Sequence, residues 1–97
     1  MKASQAAYKA AEIMSSRGHC KNIPEDYEGK VCVGGAIAVA LHGNPWIWDN
    51  DVFTILAAGT EMLGKTMIAY NNSQDVSGED VILLLKKTAR KLEEEGL

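Results

Sequence analysis

Residues 3 to 17 carry alanine at 3, 6, 7 and 10 and then Ile13 and Met14, a spacing that predicts an amphipathic helix with a thin, small-residue contact face. Gly18 is its expected stop. From 19 to 33 the helical period disappears, and Pro24 to Gly29 form an acidic turn between short runs, which predicts a small β-hairpin pairing the Cys20 region with Val31 and Cys32. Ala36 to Leu41 are apolar on every side. A run of that kind suits a short helix buried in the centre of the domain, ended by Gly43, Asn44 and Pro45.

A third helix is expected to begin at Asp49, Asn50 or Asp51, each able to accept a hydrogen bond from a first-turn N–H. Val52, Phe53, Leu56, Met62 and Leu63 are expected to supply its buried side, with Gly64 closing it. Tyr70 to Asp75 read as a polar loop. Ser77 as N-cap and Asp80 three residues on predict the start of the last helix, whose apolar stripe is Val81, Leu84, Leu85, Thr88 and Leu92. Residues 93 to 97 are expected to fray, because the acids at 93 to 95 oppose the helix dipole. The pattern adds up to a mostly α, single-domain helical bundle over residues 1–97, with about four helices and one short β-hairpin.

Composition narrows the functional classes. Ninety-seven residues make one domain near the lower end of sizes that bury a sufficient core unaided. Ten Lys and Arg against thirteen Asp and Glu give a net charge of −3, and Lys86, Lys87, Arg90 and Lys91 alternate with core leucines as one solvated helix face. No nucleic-acid partner is expected from that balance. No apolar run reaches signal-peptide or membrane-span length, so the expected setting is cytoplasmic, without membrane contact and with both cysteines reduced.

Three constellations suggest chemistry and each has a plainer reading. Gly59 to Thr66 spell G-x-x-x-x-G-K-[ST], but Glu61 would repel phosphate and the residues after Thr66 supply no apolar strand ending in Asp. A helix end at Gly64 is expected instead, and no cofactor. His19, Cys20, Cys32 and His42 are ligand types zinc accepts, yet no close pair such as C-x-x-C is present and no metal is expected. Cys32 precedes a Gly-Gly helix start, where a thiolate would gain from helix N–H groups, but His42 lies at the far end of that helix. Buried, unreactive cysteines are the plainer reading. Around Pro45, alternation places one of Trp46 and Trp48 inside and the other outside. Asn71 and Asn72 are expected to satisfy backbone groups locally, with ligand contact as the alternative.

Four segments together resemble a family of small uncharacterised proteins of actinobacteria and their phages, especially mycobacteriophages. They are Gly18-His19-Cys20-Lys21-Asn22, Gly29-Lys30-Val31-Cys32-Val33-Gly34-Gly35-Ala36-Ile37, Tyr70-Asn71-Asn72 and Ser77-Gly78-Glu79-Asp80-Val81. His19 stands where that family usually has Trp, and Asn72 where it usually has an acid. The resemblance implies a phage or actinobacterial intracellular setting and transfers no activity. The expected function is a small non-enzymatic interaction module, a phage accessory factor binding a host protein in the host cytoplasm. Its candidate contact residues are His19, Cys20, Cys32, Trp46, Trp48, Tyr70, Asn71 and Asn72. The alternatives are a small-ligand binder or Cys-dependent enzyme built on the two-cysteine block, and a homodimer through the alanine-rich first helix.

Overall fold

The computed structural model covers residues 1–97 and contains five helices: α1 (Ala3–Arg17), α2 (Val33–His42), α3 (Asn50–Leu63), α4 (Met67–Asn72) and α5 (Gly78–Glu94). The mostly α fold expected from the pattern is the fold observed. α1 lies along α5 and crosses α2, and α3 packs on α2 and α5. Its alanines explain the closeness of that packing. Ala6, Ala7 and Ala10 are fully buried and Ala11 nearly so, and with only methyl groups between them two backbones can approach closely. That face is therefore covered within the chain.

α2 is the central element. Ile37, Ala38 and Ala36 have no exposure, in keeping with a run that is apolar all round. The helix starts at Val33 rather than Ala36 because Gly34 and Gly35 sit inside it, where neighbours leave no room for a side chain. A Cβ on Gly34 would lie 2.2 Å from the Trp48 ring, and one on Gly35 would lie 2.0 Å from the Pro24 carbonyl oxygen.

The expected hairpin does not form. Residues 18 to 32 instead make two isolated bridges, both to Val31: a parallel one from His19 and an antiparallel one from Glu25. Cys20 N–H donates to the Val31 carbonyl at 3.0 Å and Val31 N–H to that of Gly18 at 3.1 Å. On the other side Cys32 N–H donates to Pro24 at 3.1 Å and Asp26 N–H to Lys30 at 3.0 Å. Two residues prevent a longer ladder. Asn22 has φ of 70°, which reverses the chain, and Pro24 has no N–H to give.

α3 begins at its Asp49 cap, which accepts from Asp51 N–H and Val52 N–H, and Gly64 at φ of 74° ends it as expected. Its buried side differs. Val52, Ile55, Leu56, Ala58 and Gly59 face the core, whereas Phe53 is 52% exposed and Met62 39%. At about 100° per residue, Phe53 lies a quarter turn beyond Val52, whereas Met62 falls within the stripe and is exposed in the last turn of the helix. Gly59 lets Met67 close onto the helix, since a Cβ there would lie 2.2 Å from the Met67 sulfur. The G-x-x-x-x-G-K-[ST] match is thus spent on helix: Gly59 to Leu63 are the end of α3, and the Thr66 hydroxyl caps α4 by accepting Ala69 N–H at 3.1 Å.

The polar loop expected from Tyr70 onward is a second correction. Tyr70, Asn71 and Asn72 close α4, a helix of six residues that is too short to show a period. α5 starts as its capping box dictates. The Ser77 hydroxyl accepts Asp80 N–H at 3.2 Å and the Asp80 carboxylate accepts Ser77 N–H at 2.9 Å. Its C-terminal end is ordered rather than frayed. Gly96 at φ of 78° allows Leu97 N–H to reach the Leu92 carbonyl at 2.8 Å and Gly96 N–H that of Glu93 at 3.0 Å, a Schellman closure.

Candidate functional site

Asn71 has no solvent exposure, and a buried primary amide must find partners for two donors and an acceptor. The end of α4 supplies them from three directions. Its Oδ1 accepts Val33 N–H at 2.9 Å, an otherwise unpartnered first-turn donor of α2. Its Nδ2 donates to the Cys20 carbonyl at 3.2 Å and to Asn72 Oδ1 at 2.9 Å. Because Val33 offers only a donor and Cys20 only an acceptor, these bonds fix which way the amide points. Oδ1 also lies 2.9 Å from His19 Nε2, so the imidazole carries its proton on Nε2 and donates.

The neighbours extend this knot. Asn72 Oδ1 accepts the backbone N–H of Asn22 at 2.8 Å and so holds the reversed backbone there. Lys21 Nζ donates to the Ser73 carbonyl. Burial pushes the His19 pKa below its ordinary value, the Lys21 charge adds to that, and the Asn71 bond works against it. The imidazole packs against the start of α5, where a Cβ on Gly78 would lie 2.7 Å from His19 Cβ.

Both cysteines are free and buried. Cys32 is the N-cap of α2, its sulfur accepting Gly35 N–H at 3.3 Å. A helix N-terminus favours a thiolate, and the Gly35 N–H pulls in that direction, yet burial dominates and raises the pKa. The Cys20 thiol donates to the carbonyls of Ile23 and Lys30, each at 3.3 Å. Burial first, then the proximity of Cys32 and Asp26, pushes it up to about 11. Two protonated thiols at neutral pH are poor nucleophiles and poor metal ligands. No three His, Cys, Asp or Glu side chains gather in one place. His42 is engaged elsewhere, 2.9 Å from Asp49, whose carboxyl is held below its usual range by that bond and by Val52 N–H.

Of the residues singled out by sequence, the structure brings His19, Cys20, Asn71 and Asn72 into one knot. Cys32 and Asn72 also line a depression of about 100 Å³ beside Asn22, Pro24, Trp48 and Ile68. At about 30 Å³ each, that is room for roughly three waters. Tyr70 does not join them. It lines a separate hollow of about 260 Å³ with Met62, Leu83 and Lys87. Trp46 stands apart as well, 58% exposed, while Trp48 is half-buried over Gly34 with its indole N–H on the Pro45 carbonyl at 2.9 Å.

Sequence reasoning missed the apolar surface of α3. Phe53 meets the Trp48 ring edge-on, with centroids 6.1 Å apart, and borders an apolar groove of about 530 Å³ between α3 and α4. Ala57 is exposed within it, with Leu56, Thr60, Met67 and Ile68 as walls. Ile47 is 44% exposed in the segment leading to α3. The signal was present in the helical angle of Phe53, a quarter turn off the stripe.

These features define a small all-α domain whose chain crossings are tied by a buried amide, with an apolar groove beside them that shares Ile68 with the depression at Asn72. The chain belongs to a family of unknown function, DUF6197, whose profile matches residues 2–91. No curated protein and no solved structure matches it. No helix is long and apolar enough to cross a membrane.

Proposed function

We propose that the protein is a non-enzymatic interaction module that receives an apolar helix of a host protein in the groove between α3 and α4. The observation that carries this reading is the groove itself: about 530 Å³, lined by Leu56, Ala57, Met67 and Ile68 with Thr60, Glu61 and Thr66 among them, and flanked by Phe53, which is half exposed. Contiguous exposed apolar surface marks interaction sites, and aromatic side chains that become buried there are frequent binding hot spots. Ala57, a small exposed residue of its lining, leaves room for a large side chain of the incoming helix, the helix-in-groove mode of recognition. Trp46 and Ile47 add apolar surface in the segment before α3. The raised thiol pKa values speak against a thiolate nucleophile in the two-cysteine block. Resemblance to mycobacteriophage proteins supports a phage accessory role in the cytoplasm of an actinobacterial host.

A photoreactive phenylalanine analogue in place of Phe53, irradiated in such a host, is expected to form a covalent adduct with one host protein. Ala57→Arg, which fills the groove from an exposed position, is expected to abolish the adduct while leaving the fold intact. Absence of any adduct, or an adduct indifferent to Ala57→Arg, contradicts the reading.

A further inference from the structure

The solvent face of α5 has a charge order that matches its own reverse. Leu83, Lys86, Lys87, Arg90, Glu93 and Glu94 are all exposed, and the four charges other than Arg90 lie three or four residues to either side of it. At about 100° per residue all six fall within about 60° of the line through Arg90. None of these five charged side chains makes an ion pair within the chain, and the sole polar contact is from the Tyr8 hydroxyl to Glu93 at 3.5 Å. The two halves of the stripe thus carry opposite charges with nothing to neutralise them.

We infer that α5 pairs antiparallel with α5 of a second copy of this chain, about a twofold axis level with Arg90. Such an axis carries each residue to an equal distance on the other side of Arg90 and keeps it on the same lateral margin. Lys86 then faces Glu93 and Lys87 faces Glu94, each match closing to within about one helical rise of 1.5 Å. Four cation–carboxylate pairs form, two from each copy. Arg90 meets its own copy at the axis, and the carboxylates one turn away on both helices offset that repulsion.

Apolar surface lies at the ends of the paired span. Leu83 is 56% exposed and borders, with Tyr8, a hollow of about 300 Å³ that also touches Lys86, Lys87 and Arg90. A foreign acidic ligand would suit the cations but would meet Glu93 and Glu94 one turn further on, whereas a second copy satisfies both halves. One helix face buries less than the roughly 1,200 Å² of a standard stable interface, so the dimer is transient and weakened by salt.

Sedimentation velocity up to about millimolar protein, where weak association becomes populated, tests this. The wild type is expected to shift toward dimer at low ionic strength and return to monomer at high salt. Lys86→Glu with Lys87→Glu places four like charges opposite one another, as does Glu93→Lys with Glu94→Lys. Each double variant is expected to associate at least about tenfold more weakly than wild type. Mixed in equal amounts, the all-acidic and all-basic stripes are complementary, and a heterodimer tighter than the wild-type dimer is expected. A wild type that stays monomeric throughout, double variants that self-associate like wild type, or a mixture that fails to associate would each overturn the inference. Ala57→Arg leaves this dimer unchanged, which separates it from the groove.

Discussion

Replacing Asn71 with alanine is expected to destabilise the fold by about 3–5 kcal/mol, a large share of what a domain of this size possesses. The cost arises because the partners stay behind. Val33 N–H and the Cys20 carbonyl are buried main-chain groups, and each loses its bond to the amide at 2.9 and 3.2 Å. Leaving such a group unsatisfied costs about 1–3 kcal/mol, and two are orphaned at once. Asn71→Asp keeps the shape and is expected to be no better, since a carboxylate oxygen would then face the Cys20 carbonyl and Asn72 Oδ1. Asn72→Ala is expected to cost about 1–3 kcal/mol, because the Asn22 N–H it releases is exposed and can turn to water while one Nδ2 hydrogen of the buried Asn71 loses its acceptor. Urea unfolding followed by helical circular dichroism checks all three, and an Asn71→Ala protein within about 1 kcal/mol of wild type removes the hub from the account.

Gly35→Ala is expected to cost about 2–3 kcal/mol, although alanine is the better helix former by about 1 kcal/mol. The new methyl would meet main chain. It would stand 2.0 Å from the Pro24 oxygen and 2.8 Å from its carbonyl carbon, and that oxygen also accepts Cys32 N–H at 3.1 Å. Moving Pro24 away breaks the bond that holds the start of α2 to the turn. Gly59→Ala is the informative comparison. Its methyl would meet the Met67 thioether at 2.2 Å, a flexible side chain that can withdraw, so a smaller loss is expected. Equal stability of the Gly35→Ala and wild-type proteins would contradict the described contact.

Local chemistry accounts for what the sequence made legible. Gly18 and Gly64 stop helices through positive φ, and Asp49 and Ser77 start them through a side-chain bond to a nearby N–H, so each signal lies within a few residues of its effect. What stayed hidden depends on distant partners. Asn71 reaches 38 residues back to Val33 and 52 back to His19, and nothing near it in sequence names those groups. Val31 serves two bridges where a hairpin would use one, because Asn22 and Pro24 interrupt the ladder. Hydrophobicity alone places Phe53 in the core, and its helical angle carries it outside. The two-cysteine block was legible as a unit and ambiguous as chemistry, since burial, which sets the thiol pKa, is decided by how α2 and α4 close over it.

Both cysteines of this block are built into the fold as buried, protonated thiols. Timed alkylation of the native protein at neutral pH, resolved for Cys20 and Cys32 by mass spectrometry and repeated in urea, tests this most directly. The account predicts that both thiols stay unmodified in the native protein and react together on unfolding, as protonated and buried groups must. Rapid, selective modification of Cys32 in the folded chain would contradict it and restore the case for a reactive cysteine.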